Sequence, residues 1–430
     1  MNEELLHYVW KYEKFNFSNL KTTSSLPVVL QRVGDHNEMH SGPDFFNAQI
    51  IIDDQKWAGN VEIHIRASDW YTHHHENDPA YNNVILHVVW EDDMEIFRKD
   101  NSVIPTLQLK DYVDETILYR YQKLFRNQDR RWIQCETQLS EVSNFTIFNW
   151  QERLYLERLE QKSKLITELL QKSSNNWEAV LFKLLTKNFG LKVNGDAFLS
   201  LADSFDFSIV RKCRADLEYL EALFYGQAGL LDDQSDKQYV QELLKKYNFL
   251  TNKFNLTNYG VLPFHFFRLR PSNFPTIRIS QLANIYHKNE QLFSKIIATD
   301  NLIEFYQLFN ISASDFWNTH YTFNKESLGK SKKLTKAFIH LILINTIIPL
   351  KFMYAKSQGR YISEEIFGLL SQLPPEKNTI TDRYASYGVT IEDALHSQSM
   401  IQLKKNYCDK KACLKCAIGN YLLNREGNLG

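Results

Sequence analysis

The spacing of apolar and polar positions changes period twice along this chain. Over residues 3–14, Leu5, Leu6, Val9 and Trp10 recur at helical spacing, so an amphipathic first helix is expected. From about residue 20 to 110 the pattern becomes alternating, or breaks into short apolar runs bounded by turn residues, which predicts strands. A short strand is expected within 22–33, followed by a polar, turn-rich loop over 34–43 that delivers Asp44. Then come a buried strand at 45–52, a hairpin turn at 53–56 and a return strand at 57–65. Residues 69–75 read as a loop, 83–90 as a further strand and 105–109 as a short last one. From residue 112 the helical period returns, with helices expected at 152–171, 177–189, 216–224, 237–247, 276–286, 328–354, 364–370 and 391–407. Pro374 and Pro375 mark a break, and 263–275 is irregular. The pattern predicts an α+β protein: an N-terminal mixed β-sheet domain over 1–135, a mainly α-helical domain over 136–400 and a cysteine-containing tail over 401–430.

Composition narrows the function classes. The 430 residues are 43% hydrophobic and 13% aromatic, enough for a sizeable core. The formal net charge of −1 carries no general attraction to polyanions, so any nucleic-acid surface must be local. The first twenty or so residues lack the basic start, long apolar run and small-residue cleavage site of a signal peptide. The most apolar run, 337–350, is shorter than the ~20 residues a membrane span needs. A soluble, cytoplasmic protein with no membrane partner is therefore expected. Five cysteines are too few for a disulfide framework in a chain this long.

Candidate chemistry concentrates in residues 41–90. Asp44 opens one strand of the expected hairpin and Glu62 lies on its partner. On that return strand Glu62 and His64 share one face, while Val61, Ile63 and Ile65 share the other. A buried carboxylate costs several kcal/mol unless it is paired or bound to a cation. Paired carboxylates at one end of a sheet suit Mg²⁺ or Mn²⁺, which take hard oxygen ligands. A plainer alternative has Asp44 capping a turn and Glu62 paired with Arg32 or Arg66.

Pro43-Asp44 followed by Glu62-Ile63-His64 resembles the PD-(D/E)xK phosphodiesterase superfamily. The resemblance implies a central mixed sheet flanked by helices, with Asp44 and Glu62 as metal ligands in a nuclease acting on DNA. It departs at the third position, where His64 stands in place of lysine; Lys56 in the turn is a doubtful substitute. Histidine there would position or deprotonate a water, or act as a ligand. His75 and His87 are candidate catalytic residues beside it; of His73, His74 and His75, one or two can converge with His64 and His87, while the plainer reading leaves His73 and His74 as solvated loop residues. Two other function classes remain open: a non-catalytic nucleic-acid or protein-binding module on a degenerate nuclease fold, and a Zn-dependent hydrolase built on the histidines.

Cys408, Cys413 and Cys416 form C-x4-C-x2-C. Zinc and iron–sulfur clusters both take four ligands, so a fourth must come from elsewhere. Cys135 is the first choice, with Cys213, His320 and His396 behind it. In outline the set resembles the iron–sulfur clasp of Cas4-like and AddB-like nucleases, although Cys135 follows the acidic hairpin here. Three reduced structural thiols are the alternative. Arg268, Arg270 and Arg278, interleaved with aromatics, are candidate phosphate contacts, or else arginines of a loop anchored in the helical core. Lys330, Lys332, Lys333 and Lys336 are expected to open a helix.

Four phrases, GPDFFNAQI, GNVEIHIRASDW, RLRPSNFPTIRISQLA and YCDKKACLKCAIG, together resemble an uncharacterised bacterial family, domain of unknown function 2851. The resemblance spans nearly the whole chain. It implies a complete cytoplasmic protein and brings no activity, substrate or cofactor.

Overall fold

The computed structural model describes residues 2–38, 40–125, 131–231 and 235–425. Met39 of the expected loop and residues 426–430 of the expected tail lie outside these. The fold is α+β. The chain divides into two compact units, one made of residues 1–150 with 403–430 and the other of 151–402. The tail is thus part of the N-terminal unit.

In the first unit, helix α1 (Glu3–Lys11) begins at Asn2, whose side chain accepts the Leu5 N–H. Six strands follow: β1 (Val28–Arg32), β2 (Asp35–His36), β3 (Phe45–Ile52), β4 (Gln55–Arg66), β5 (Val84–Glu91) and β6 (Thr106–Gln108). The sheet order is β1-β3-β4-β5-β6, with β2 pairing with β3 off this path. β1, β3 and β4 are antiparallel neighbours, whereas β4, β5 and β6 run parallel. Parallel neighbours cannot be joined by a tight turn. The β4–β5 connection therefore crosses the sheet, carrying the one-turn helix α2 (Asp69–Thr72) and two 3₁₀ turns, His75–Asn77 and Pro79–Tyr81. Residues 69–75, expected to be a plain loop, are part of this structured crossover.

The register places Val61 opposite Leu86 and Ile63 opposite Val88, and all four join Leu5, Leu6, Val9 and Trp10 in one apolar core. The other face of β5 packs Val84 and Val89 against Trp70 and Tyr81 of the crossover. β5 is covered on both faces, which explains its nearly unbroken apolar sequence. Gly59 is required where β4 meets β5: a Cβ there would lie 2.4 Å from Ile85 Cγ2 and 2.6 Å from the Asn83 carbonyl. A bulge in β3, with Asn47 at φ 57°, lies just after Asp44 and shifts the register between Phe45 and Ala48.

Helix α3 (Glu115–Phe125) and the start of α4 (Asn144–Lys172) complete this part of the chain, and the boundary between the units falls within α4. The second unit is helical around one large core. Two expectations for it change. The segment 328–335 is not helical: Thr335 caps a helix starting at Lys336, and Gln281 Nε2 donates to the Lys332 carbonyl. The apolar helix also runs on to Ser357, so Lys336–Ser357 is long and apolar enough to cross a membrane. Much of its apolar surface packs into the second unit's core. It stays continuous past Pro349 through a π turn at Leu343–Ile347, which accommodates the ring and the missing N–H.

Glu221 is buried in this second core, where its carboxyl accepts hydrogen bonds from Ser280 Oγ at 2.5 Å and Tyr239 Oη at 2.9 Å. Burial outweighs those bonds and raises its pKa to about 7. The unfolded chain releases this proton in the ordinary carboxyl range, while the fold retains it until about pH 7. Stability is therefore expected to fall as pH rises across that window, by on the order of 3 kcal/mol, and to level off above it. Denaturant melts of wild type and Glu221→Gln between pH 4 and 8 check this, the variant lacking that part of the slope. Separately, Gly59→Ala is expected to cost about 1–3 kcal/mol in the same assay, by forcing β4 and β5 apart.

Candidate metal and catalytic site

Residue 62 is where the sheet turns from structure to chemistry. Glu62 lies opposite His87 in the parallel register, and His64 opposite Val89, so both face the crossover. Glu62 is only 4% exposed, His64 1% and His87 0%. At the start of β3, Asp44 is tied to the same point: its N–H donates to Glu62 Oε2 at 3.1 Å, and the Ile63 N–H donates to Asp44 Oδ2 at 2.9 Å. The hairpin thus brings the two carboxylates together at one end of the sheet.

The crossover adds imidazoles. His64 Nε2 lies 3.0 Å from His73 Nδ1 and 3.6 Å from Glu62 Oε1. His75 Nε2 lies 3.2 Å from the same Glu62 oxygen, buried and without a hydrogen bond, and its ring stacks on Tyr81 at 3.8 Å. His64, His73 and His75 each offer a ring nitrogen, and these nitrogens all fall within 4.8 Å of one another. His74, between two of them, adopts a left-handed backbone at φ 60° and stays exposed. On the inner side, His64 Nδ1 is 2.8 Å from His87 Nε2, while His87 Nδ1 is buried without a hydrogen-bond partner. That pairing fixes the His64 ring and leaves Nε2 facing the cluster.

Two residues of α1 complete the site, and the sequence reading missed both. His7 Nε2 sits 3.2 Å from Asp44 Oδ2, and Glu3 feels the charges of His7, Asp44 and His73. Their helical periodicity marks only a polar face, so nothing local distinguishes them from solvated residues. His73 was missed as well, because its convergence with His64 depends on the crossover's path.

The electrostatics are unbalanced. Burial, then the Asp44 charge, pushes the Glu62 carboxyl up to about 9. Burial, then His87, His75 and His73, holds His64 neutral by lowering its pKa to about 2. Burial lowers His87 to about 3. The expected arginine partners are absent from Glu62's contacts: Arg32 instead bridges to Asp35 at 2.7 Å. Lys56 sits at the far end of the hairpin, opposite Ile51. The polar cluster thus holds two carboxyl groups, the unprotonated rings of His64, His75 and His87, and His7, which the Asp44 carboxylate holds toward its protonated form, but, among its described contacts, no ammonium or guanidinium. Carboxylate oxygens beside unprotonated ring nitrogens are the donor set of a divalent cation, with Mn²⁺ and Zn²⁺ accepting both donor types. Lone pairs rather than protons on His64 and His75 would face such an ion.

The other predicted residues lie elsewhere. Arg278 is 5% exposed in the second unit; it donates to Gln281 and Asn273 and stacks 3.5 Å over Phe338. It is a core residue whose two terminal nitrogens are committed to these partners and whose Nε is buried, which corrects the phosphate-contact expectation for that arginine. Arg268 and Arg270 are exposed in the second unit, and Arg268 lies over Phe267. Cys135 lies with Cys408, Cys413 and Cys416 in the first unit, while Cys213 is buried in the core of the second.

A family profile described as "Protein of unknown function (DUF2851)" matches residues 3–379. No curated protein and no solved structure matches the chain.

Replacing Glu62 by glutamine removes a buried ionisable group. In metal-free protein, Glu62→Gln is expected to raise the thermal midpoint, by the equivalent of about 1–4 kcal/mol. Added Mn²⁺ is expected to stabilise wild type more than the variant; thermal melts in chelator and in excess Mn²⁺ measure both.

Proposed function

The chain belongs to the DUF2851 family, which carries no assigned chemistry, and we propose that its N-terminal unit is a metal-dependent phosphodiester hydrolase acting on DNA. The observation that carries this reading is the buried Glu62 carboxyl beside Asp44, facing the His64 and His75 rings, whose burial keeps them unprotonated, with no lysine or arginine among its described contacts. Such a carboxylate is costly in the fold unless an ion compensates it. A function that requires the ion explains why the residue is kept there. The phosphodiester assignment rests on the order Asp44, hairpin, Glu62, His64, which resembles PD-(D/E)xK enzymes. The mixed sheet supports it.

In this reading Asp44 and Glu62 hold the ion. A bound divalent ion would acidify a water and offset charge developing on the phosphate. His64 stays neutral and presents Nε2, so it orients a water or serves as a ligand, with His87 fixing its tautomer. His75 and His73 line the same opening, where either can contact a phosphate oxygen. His7 supports Asp44 from α1. The imidazoles move the preferred ion from Mg²⁺ toward Mn²⁺ or Zn²⁺.

One observation favours a second reading. The His64, His73 and His75 nitrogens converge closely enough to bind Zn²⁺ by themselves. The unit would then be a zinc hydrolase whose substrate need not be a nucleic acid.

Cleavage of plasmid, single-stranded DNA and bis-p-nitrophenyl phosphate, each with Mg²⁺, Mn²⁺ or Zn²⁺, separates the two. The nuclease reading expects DNA cleavage that falls by at least about 100-fold in Glu62→Ala and in Asp44→Ala. Zinc binding lost in His73→Ala and His75→Ala, with no DNA cleaved by wild type, would replace it with the second reading. Equal cleavage by wild type and Glu62→Ala would sink the nuclease reading, and zinc held equally by wild type, His73→Ala and His75→Ala would sink the second.

A further inference from the structure

The four cysteines of the first unit are unused by this chemistry. Cys408 closes a π turn, Lys404–Cys408, in which the Asp409 N–H donates to the Lys404 carbonyl at 2.8 Å. Such turns are often found at functional sites. The chain then reverses through Lys411, whose φ is 55°, into a single 3₁₀ turn, Cys413–Lys415. The Cys416 N–H donates to the Cys413 carbonyl at 3.2 Å, and Cys416 precedes the final helix Ala417–Asn424. That helix is pressed onto the Cys413 turn: a Cβ on Gly419 would lie 2.0 Å from the Cys413 carbonyl oxygen. Two tight turns and the start of the last helix thus follow one another between Cys408 and Cys416, with each cysteine at a turn or helix boundary.

Cys135 is held against the same region by its neighbours. The Trp132 ring lies 5.0 Å from Lys404 Nζ, and Tyr407, next to Cys408, packs on Trp150 at 5.3 Å. After burial, the charges of Cys408, Cys416 and Cys413 are what raise the Cys135 thiol, and Cys413 in turn feels Cys416 and Cys408. Cys213, the remaining cysteine, belongs to the other unit's core. No disulfide joins any of the five among the described residues.

We propose that Cys135, Cys408, Cys413 and Cys416 form one tetrathiolate site for a thiophilic metal centre, either a single Zn²⁺ or an iron–sulfur cluster. Four thiols in one compact unit, their neighbouring side chains in contact and no disulfide among them, match in number the ligands that both take. Each thiol gives up its proton on ligation, and the ion's charge compensates the sulfurs in their buried setting. The position explains what the centre does. Residues 151–402 lie between the first ligand and the other three, so the site staples together the two separated segments of the first unit. Leu414 and Leu423 pack in the sheet core, and Asn424 Nδ2 donates to Tyr8 Oη at 2.7 Å, so the staple also secures the region around α1.

The test uses full-length protein purified anaerobically, in wild-type and Glu62→Ala/His73→Ala/His75→Ala backgrounds so that the carboxylate–histidine site does not contribute. Elemental analysis before and after addition of an organomercurial is expected to show metal released only by the thiol reagent. One zinc without colour identifies the single ion; iron with acid-labile sulfide and visible charge-transfer absorption identifies the cluster. Cys135→Ser is expected to lose most of the metal and Cys213→Ser to keep it, with circular dichroism reporting the fold of each. If Cys135→Ser fails to fold, release from wild type by the mercurial still decides whether thiolates hold the metal. Wild type that holds no thiol-releasable metal after reconstitution with Zn²⁺, or with iron and sulfide, would overturn the proposal. So would a folded Cys135→Ser variant that retains the full metal content.

Discussion

Everything at the candidate site depends on the parallel pairing of β4 with β5. An antiparallel partner could have followed β4 through a short turn, leaving its polar face open to solvent. A parallel partner forces the chain back across the sheet before it can pair. That return path is the segment carrying Trp70, His73, His75 and Tyr81, and it packs over the face that Glu62, His64 and His87 share. The crossover that buries Glu62 also supplies the imidazoles around it.

Burial and charge then work against each other in a way that points to function. Most of the sheet obeys simple rules: apolar residues face the core, and β5 is apolar because both its faces are covered. Glu62 and its histidines break those rules at a single place. The cost is tolerable because the surrounding core over-determines their positions, through the Ile63–Asp44 bond, the β3 bulge and the His64–His87 pair. The second unit contains a contrasting case. Glu221 is just as buried, yet its oxygens are satisfied by Ser280 and Tyr239, so protonation and hydrogen bonding are enough. Glu221 meets two hydroxyl donors, whereas Glu62 accepts the Asp44 N–H and faces the His64 and His75 rings.

The cysteine tail follows the same logic at the other end of the chain. Its three cysteines are separated from Cys135 by the whole second unit, yet all four lie in the first. Ion pairs such as Lys415 with Glu38 are partly exposed and contribute little individually. The tail is held instead by its apolar residues, Leu414 and Leu423, in the sheet core.

Periodicity alone determined the α+β class, the strands from Phe45 to Trp90 and most of the helices, because core-facing positions repeat at the spacing of the local backbone. It also placed Glu62 and His64 on one face, since a strand's side chains alternate whatever surrounds it. The turn before the strand singled out Asp44, and the short spacing singled out the cysteine trio, as candidates. The sequence reading failed where the partner was remote. His7 and Glu3 on α1 look like any polar helix positions until α1 docks against the hairpin. His73 looks like a loop residue until the crossover folds over His64, and Arg278 looks available until its helix is buried. The 328–335 segment reads as helix until its backbone is engaged by residues far away in sequence. Sequence determines what each short stretch can form, because those forces act between near neighbours. Tertiary structure alone decided which side chains meet, because those meetings depend on strand order, crossover path and docking, which no local pattern encodes.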